Sequence, residues 1–296
     1  MVLKVNDCSP LISIYIPTHN RSLLLKRAIT SVVSQTYKHI EILIVNDGSS
    51  DDTNKVVKDF QKKFENIRLF ENQEAKGACH ARNVAIRSAR GEFITGLDDD
   101  DEFLPDHLET LLDSFCKNDC SFVASSIWED TGKGRFCRTG DVGEIDLIRA
   151  LHSNPIGNQI FTRTEWLVAL GGFDESLPAS QDYDMWIRFI EAYGKGVKLE
   201  SATYVWHTGH EEKRITNSNV KRLAALDMFF NKHEHLMSKE HIQSFIILRC
   251  KADPSHYSLG VMLKNINRWN YKSALSLYVH TRTPALGSLW RRLKLK

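Results

Sequence analysis

A chain of 296 residues with 42% hydrophobic and 26% charged residues has the make-up of a folded protein with a large core, not of a disordered or collagen-like one. Its net charge of +2 speaks against a broadly cationic nucleic-acid binder, and no apolar run reaches the roughly 18 residues of a spanning helix. The six scattered cysteines outline neither a disulfide framework nor a zinc site, so reduced thiols and a cytosolic chain without a secretion signal are expected.

Residues 11–16 read as a strand stopped by Pro17. Leu25, Ala28, Ile29 and Val32 recur at helical spacing, which predicts a helix from about Ser22. Residues 40–45 are apolar on both faces, the mark of an interior parallel strand. A turn over 46–50 and a helix from Asp51 or Asp52 to about Lys63 follow. Residues 67–70 give a third strand, 78–89 a helix, and 92–97 a short buried strand. Strand and helix alternate with short connections, which predicts a mostly parallel α/β sheet with right-handed crossovers.

Beyond residue 120 the rhythm changes. A strand is expected over 121–128, a charged, glycine-bearing loop over 129–143, and short helices over 146–152 and 164–170 around a strand near Ile160. A helix over 181–193 and a strand over 202–206 come next. From about 218 the pattern is helical: 218–235, 238–250 and two weaker segments. The expected division is 1–217, with a nucleotide part over 10–120 and an acceptor part over 121–217, followed by a helical extension over 218–296.

Chemistry concentrates at Asp98-Asp99-Asp100-Asp101. Adjacent carboxylates repel by about 1 kcal/mol per contact in water, and by more where water is scarce. Here they follow a buried strand, at the sheet edge where ligands of open α/β folds bind. Mn2+ or Mg2+, taking one or two carboxylates and substrate phosphates, explains the cluster; a solvated acidic turn capping the next helix is the plain alternative. Parallel strands bring two further loops to that edge, Pro17-Thr18-His19-Asn20-Arg21 and Asn46-Asp47-Gly48-Ser49-Ser50. Neither a Gly-x-Gly-x-x-Gly nor a P-loop motif is present, so no glycine-rich cradle holds phosphates.

These segments resemble glycosyltransferase family 2, whose members have the GT-A fold. The resemblance rests on Pro17-Thr18-His19-Asn20-Arg21, Val45 to Asp51, Ala81-Arg82-Asn83, Leu97 to Asp101, Gly171-Gly172-Phe173-Asp174 and Gln181-Asp182-Tyr183-Asp184, in that order over about 10–215. It implies an inverting, metal-dependent transfer from a UDP-sugar, first UDP-galactose and then UDP-glucose. It places Pro17, Thr18, Asn20, Asp47, Arg82, Asp98 and Asp99 around the nucleotide, Asp98 and Asp100 on the metal, and Asp182 as catalytic base. Asp99 stands where the family often has a small residue, and Gln181 where a Glu often precedes the base.

Plain readings stand beside these. Arg82 can pair with a surface acid, Asp47 can bond its own turn, and Asp182 and Asp184 can be first-turn acids favoured by the helix dipole. His207 and His210 read equally as a metal ligand with a substrate contact or as structural histidines. Trp128 and Trp186 read as core. A non-catalytic nucleotide-sugar-binding module and a sugar-phosphate nucleotidyltransferase are the competing classes.

Residues 254–296 hold eight Lys and Arg and no Asp or Glu, leaving 31 basic against 37 acidic residues before them. Leu286, Leu289, Trp290 and Leu293 share one helical face there, beside Arg291, Arg292, Lys294 and Lys296. An acidic body with a basic tail suits an anionic inner-membrane surface. By analogy with the family, a lipid-diphosphate-linked sugar of lipopolysaccharide O-antigen assembly is the expected acceptor. The expected place is cytoplasmic, peripheral on the inner membrane.

Overall fold

The computed structural model describes residues 9–209 and 219–282; His210 and the 283–296 tail lie outside them. The described chain divides into two compact units, one made of 9–147, 155–175 and 181–209, the other of 148–154, 176–180 and 219–282.

The first unit is built on β1 (Ile12–Thr18), β2 (Ile40–Asp47), β3 (Ile67–Asn72), β4 (Phe93–Gly96) and β9 (Thr162–Arg163), in the order β3-β2-β1-β4-β9. All pairs are parallel except β4 with β9. Helices α1 (Ser22–Val33), α2 (Thr53–Gln61) and α3 (Ala78–Ser88) make the crossovers. The face of α1 that carries Leu25, Ala28, Ile29 and Val32 is buried as its spacing requires. β1 and β2 are buried at every position, because a parallel strand inside such a sheet is covered on both faces.

Pro17 does not stop β1. Leu11 and Tyr15 direct their carbonyls to the β4 side, where they accept from Phe93 and Leu97 N–H, so Pro17, two residues on from Tyr15, turns its nitrogen the same way. The β1–β4 ladder ends at Tyr15 opposite Gly96. No ladder bond is lost, which is where a strand tolerates proline.

A second sheet runs β5 (Glu102–Phe103), β10 (Gly196–His207), β6 (Val123–Asp130) and β7 (Arg135–Arg138), with β8 (Gly143–Ile145) on β10. The expected loop over 129–143 is therefore corrected: it carries the end of β6, the whole of β7 and the start of β8. Its hairpin is held by cross-strand ion pairs, Arg135–Asp130 at 2.9 Å and Arg138–Glu129. Charged partners on an exposed ribbon leave no apolar alternation to read. β10 also starts six residues before the expected strand, its register with β6 shifting around Ala202. β5 pairs with β10 at Phe103–Tyr204 and Glu102–Val205. That pairing sets the four acids beside the end of β10.

α4 (His107–Lys117) and α6 (Thr164–Ala169) belong to this unit, and α7 (Gln181–Tyr193) has the bounds its periodicity predicts. The short helix expected over 146–152 is α5 (Leu147–Ala150). Trp186, on α7, is 1% exposed and donates to the Gly157 carbonyl at 2.9 Å, a core residue. In the second unit α8 (Asn219–His233), α9 (Lys239–Ala252), α10 (Leu259–Asn265) and α11 (Tyr271–Arg282) pack around Phe229, Ile247, Tyr257, Met262 and Ala274. None of the described helices is long and apolar enough to cross a membrane. Cys79, Cys116, Cys120, Cys137 and Cys250 are free thiols.

His107 opens α4, stacked on Phe103 and bonded through Nδ1 to the Thr203 hydroxyl at 2.7 Å. Burial drives its pKa down to about 3. The folded state then binds fewer protons than the unfolded state between that value and about 6.5, so stability falls as pH falls through that window. Going from pH 7 to pH 5 is expected to remove about 2 kcal/mol through this group. Denaturant titrations of wild type and His107→Gln check it: the substituted protein should lose that part of the pH dependence, and an unchanged slope contradicts the assignment.

Candidate active site

The ends of β1, β2 and β4 meet the start of α3, as the topology requires. Gly48, at φ +67°, makes the turn after β2; a Cβ there would stand 2.7 Å from the backbone of Glu74 and Ala75. Asn20, also at positive φ, ties the first loop to the second. Its N–H donates to Ser49 Oγ at 2.8 Å, and its Oδ1 accepts from Ser50 N–H at 2.7 Å. His19 Nδ1 bonds the Asp47 carbonyl at 2.6 Å.

Asp47 is 3% exposed. Its carboxylate accepts from Asn72 Nδ2 (2.7 Å), Lys76 N–H (2.9 Å) and Gly77 N–H (2.7 Å). It therefore anchors the loop that leads into α3, a partner some thirty residues away rather than its own turn. Asn72 is part of this arrangement and was not legible from any motif.

The four acids have four different surroundings. Asp98 accepts from Arg82 Nη2 at 2.8 Å, Gln159 Nε2 at 3.2 Å and Asn158 Nδ2 at 3.0 Å. Gln159 is itself held by the Tyr15 hydroxyl at 2.6 Å. Asp99 is buried beside Thr18, and Arg21 Nη1 donates to it at 3.0 Å. Burial pushes its pKa up to about 6 against the pull of Arg21. Asp100 shares Arg21 Nη1, at 3.2 Å, and Arg27 Nη2 caps its carbonyl. Asp101 is 1% exposed, accepting from the Tyr204 hydroxyl at 2.7 Å and His207 N–H at 3.0 Å. Burial, with Asp98 and Asp100 nearby, holds its carboxyl well above the ordinary range.

Solvent therefore reaches the acids alternately: Asp98 and Asp100 are partly exposed, Asp99 and Asp101 buried. Among the described residues no three His, Cys, Asp or Glu side chains form a complete metal cage. Two accessible carboxylates suit a cation that takes its other oxygens from a diphosphate, the habit of Mg2+ and Mn2+, so the donor set fits a divalent ion. The His207 ring lies 3.3 Å from Glu102 and 4.0 Å from Asp130, its pKa lowered by burial and then by Arg27.

Asp182 and Asp184 part company. Asp184 is fully buried and paired with Arg188 Nε at 2.9 Å. Arg188 also donates to the Gly172 carbonyl at 2.8 Å, joining α7 to the Gly171-Gly172 turn. Asp182 is partly exposed in the first turn of α7. Burial raises its pKa; the Tyr183 N–H and then Arg82 oppose the shift, and Asp98 adds to it. Asp182 thus lies within the electrostatic reach of the Arg82–Asp98 pair. Asn83, next to Arg82, accepts from Phe173 N–H at 2.7 Å and donates to its carbonyl at 2.9 Å, so α3 holds this turn as well.

Residues 13–170 match the model of glycosyl transferase family 2. The chain is 35% identical over 244 residues to a putative colanic acid biosynthesis glycosyl transferase of Escherichia coli, covering 76% of this chain and 82% of that one. A Campylobacter jejuni protein, a GalNAc(5)-diNAcBac-PP-undecaprenol beta-1,3-glucosyltransferase, is 45% identical over 104 residues, 35% of this chain and 34% of its own. Staphylococcus aureus TarS, crystallised with UDP-GlcNAc, superposes with a TM-score of 0.68 at 18% identity over 91% of this chain and 80% of that chain, a likeness of fold.

Arg188→Ala removes the guanidinium from the buried Asp184 and from the turn carbonyl. Breaking such a pair costs about 3–5 kcal/mol. Urea unfolding should show a loss of that size; a change below about 1 kcal/mol would mean that the pair does not hold α7 to the turn.

Proposed function

The chain belongs to glycosyl transferase family 2, and on that premise we propose that it transfers a hexose from a UDP-sugar to a sugar carried on a lipid diphosphate, with inversion at the anomeric carbon. UDP-galactose is the first candidate donor and UDP-glucose the second. The acceptor belongs to surface-polysaccharide assembly, with an undecaprenyl-diphosphate-linked intermediate of O-antigen type as the specific candidate. The colanic-acid relative supports the polysaccharide setting, and the Campylobacter relative supports a lipid-linked acceptor. The observation that carries the reading is the pair of accessible carboxylates, Asp98 and Asp100, with the base candidate Asp182 nearby in the field of the same Arg82–Asp98 pair.

Asp98 and Asp100 would hold Mn2+ or Mg2+. The chemistry such an ion supplies is neutralisation of charge on the departing diphosphate. The remaining work falls to the chain. Asp47 fixes the Lys76-Gly77 backbone, and with Pro17, Thr18 and Asn20 it would border the nucleotide. Arg82 holds Asp98 in place and adds positive charge where the leaving group gathers negative charge. Asp99, under Arg21, shapes the loop that presents its neighbours. Asp182 takes the proton from the acceptor hydroxyl as that oxygen attacks the anomeric carbon from the face opposite the UDP. One carboxylate suffices for a single displacement, whereas a glycosidase needs two. His207 is retained as a candidate third ligand.

Three outcomes are expected. EDTA should abolish transfer from the UDP-sugar and Mn2+ or Mg2+ restore it; full activity in EDTA would remove the metal. Asp182→Asn should slow transfer by about 10²–10⁴-fold with UDP affinity nearly intact, and transfer at the normal rate would disprove the base. The base must be ionised, and its pKa is raised, so kcat/KM should climb with pH through a midpoint above the usual Asp value of about 3.9. The Asn protein should lack that limb.

A further inference from the structure

We propose that the surface made by α10, α11 and their connection is the part of the second unit that lies on an anionic lipid headgroup layer. The proposal rests on the lipid-linked acceptor and names where the chain would meet the bilayer.

Large apolar side chains exposed one at a time are ordinary. Here five fall between 259 and 275: Leu259, Leu263 (61% exposed), Trp269, Tyr271 and Leu275. Leu259 and Leu263 are one turn apart on α10, and Tyr271 and Leu275 one turn apart on α11, so each pair shares a face. The inward residues are different ones, Met262 on α10 and Ala274 on α11, packed with Ile247 and Tyr257. Each of the two helices thus has a filled core side and an apolar outer side.

The charged residues within α10, α11 and their connection are all basic. Lys264, Arg268 and Lys272 lie among them, and residues 254–282 contain no Asp or Glu. The Arg268 guanidinium stands 5.4 Å from the Trp269 ring centre, and Lys272 Nζ stands 5.9 Å from that of Tyr271. The acid within reach of Arg268 is Glu240 at 3.9 Å, with both side chains exposed, a weak pair. Aromatic rings carrying cations, beside exposed leucines, match the headgroup zone: rings and aliphatic chains enter the interface while cations meet lipid phosphates. A symmetric contact with a second copy fits worse, because it would bring these cations together with their own counterparts.

Sedimentation of the full chain with vesicles tests this. Wild type is expected to bind phosphatidylglycerol-containing vesicles, and phosphatidylcholine vesicles far less. Lys264→Glu, Arg268→Glu and Lys272→Glu combined should weaken binding about tenfold or more. Leu259→Gln with Leu263→Gln should weaken it while leaving the charge unchanged. Both proteins should keep wild-type circular dichroism and UDP affinity. If wild type binds and both variants bind as tightly, this surface is not the contact, and the lipid-linked reading stands without it. A wild type that ignores anionic vesicles contradicts the membrane partner itself. A dimer in gel filtration that the leucine variant dissolves, without vesicle binding, would give the face to a second copy and overturn the proposal.

Discussion

Everything at the candidate site depends on how four consecutive carboxylates are kept in one turn. At an effective dielectric constant of 20, two like charges 4 Å apart repel by about 4 kcal/mol, so the turn needs partners, or burial that favours the protonated acid, to offset the charge. Arg82 takes Asp98, Arg21 spans Asp99 and Asp100, Arg27 caps the Asp100 carbonyl, and Tyr204 with the His207 N–H takes Asp101. These partners come from the β1 loop, α1, α3 and β10. Neutralising the turn therefore also draws the two sheets of the first unit to one edge, and the β5–β10 pairing completes that join. Fold and site share one electrostatic requirement.

Helix α3 carries that requirement further. Arg82 faces Asp98, while Asn83 grips Phe173 in the next turn of chain. A Cβ on Gly172 would stand 2.2 Å from Asn83 Oδ1, so the turn seats against the amide with no room for a side chain. Arg188 then ties Gly172 to α7 and Asp184. Through these contacts one helix fixes both the Asp98 carboxylate and the turn that precedes α7 and Asp182. Preorganisation of this kind is what the proposed transfer requires of its carboxylates before substrate arrives.

The first sheet was legible because β1, β2 and β4 are mostly apolar and buried and the helices between them keep a 3.6-residue period. The 135–138 strand was not, because its partners are charges rather than alternating apolar residues. Pro17 misled for a local reason, since its missing N–H faces the side where β4 has ended. At the site, motif order brought out Asp98, Arg82 and Asp182. The division of the acids into accessible and buried pairs was hidden, because it is set by Arg21, Asn158, Gln159 and Tyr204, from 60 to 103 residues away from the acids they bond. Asn158 and Gln159 lie in an irregular segment with no period to read. Arg21 stood inside a recognised motif, yet nothing in its spacing marked it as the partner of Asp99 and Asp100.

The central claim is that Asp98 and Asp100 meet a cation while Asp99 and Asp101 build the turn. Mn2+ binding in the presence of UDP, followed by electron paramagnetic resonance of the free ion, tests it most directly. Asp100→Asn is expected to lose the bound Mn2+ although the protein remains folded. Asp101→Asn, which keeps the shape facing Tyr204 and His207, is expected to retain it. An Asp100→Asn protein that binds Mn2+ as tightly as wild type would contradict the account.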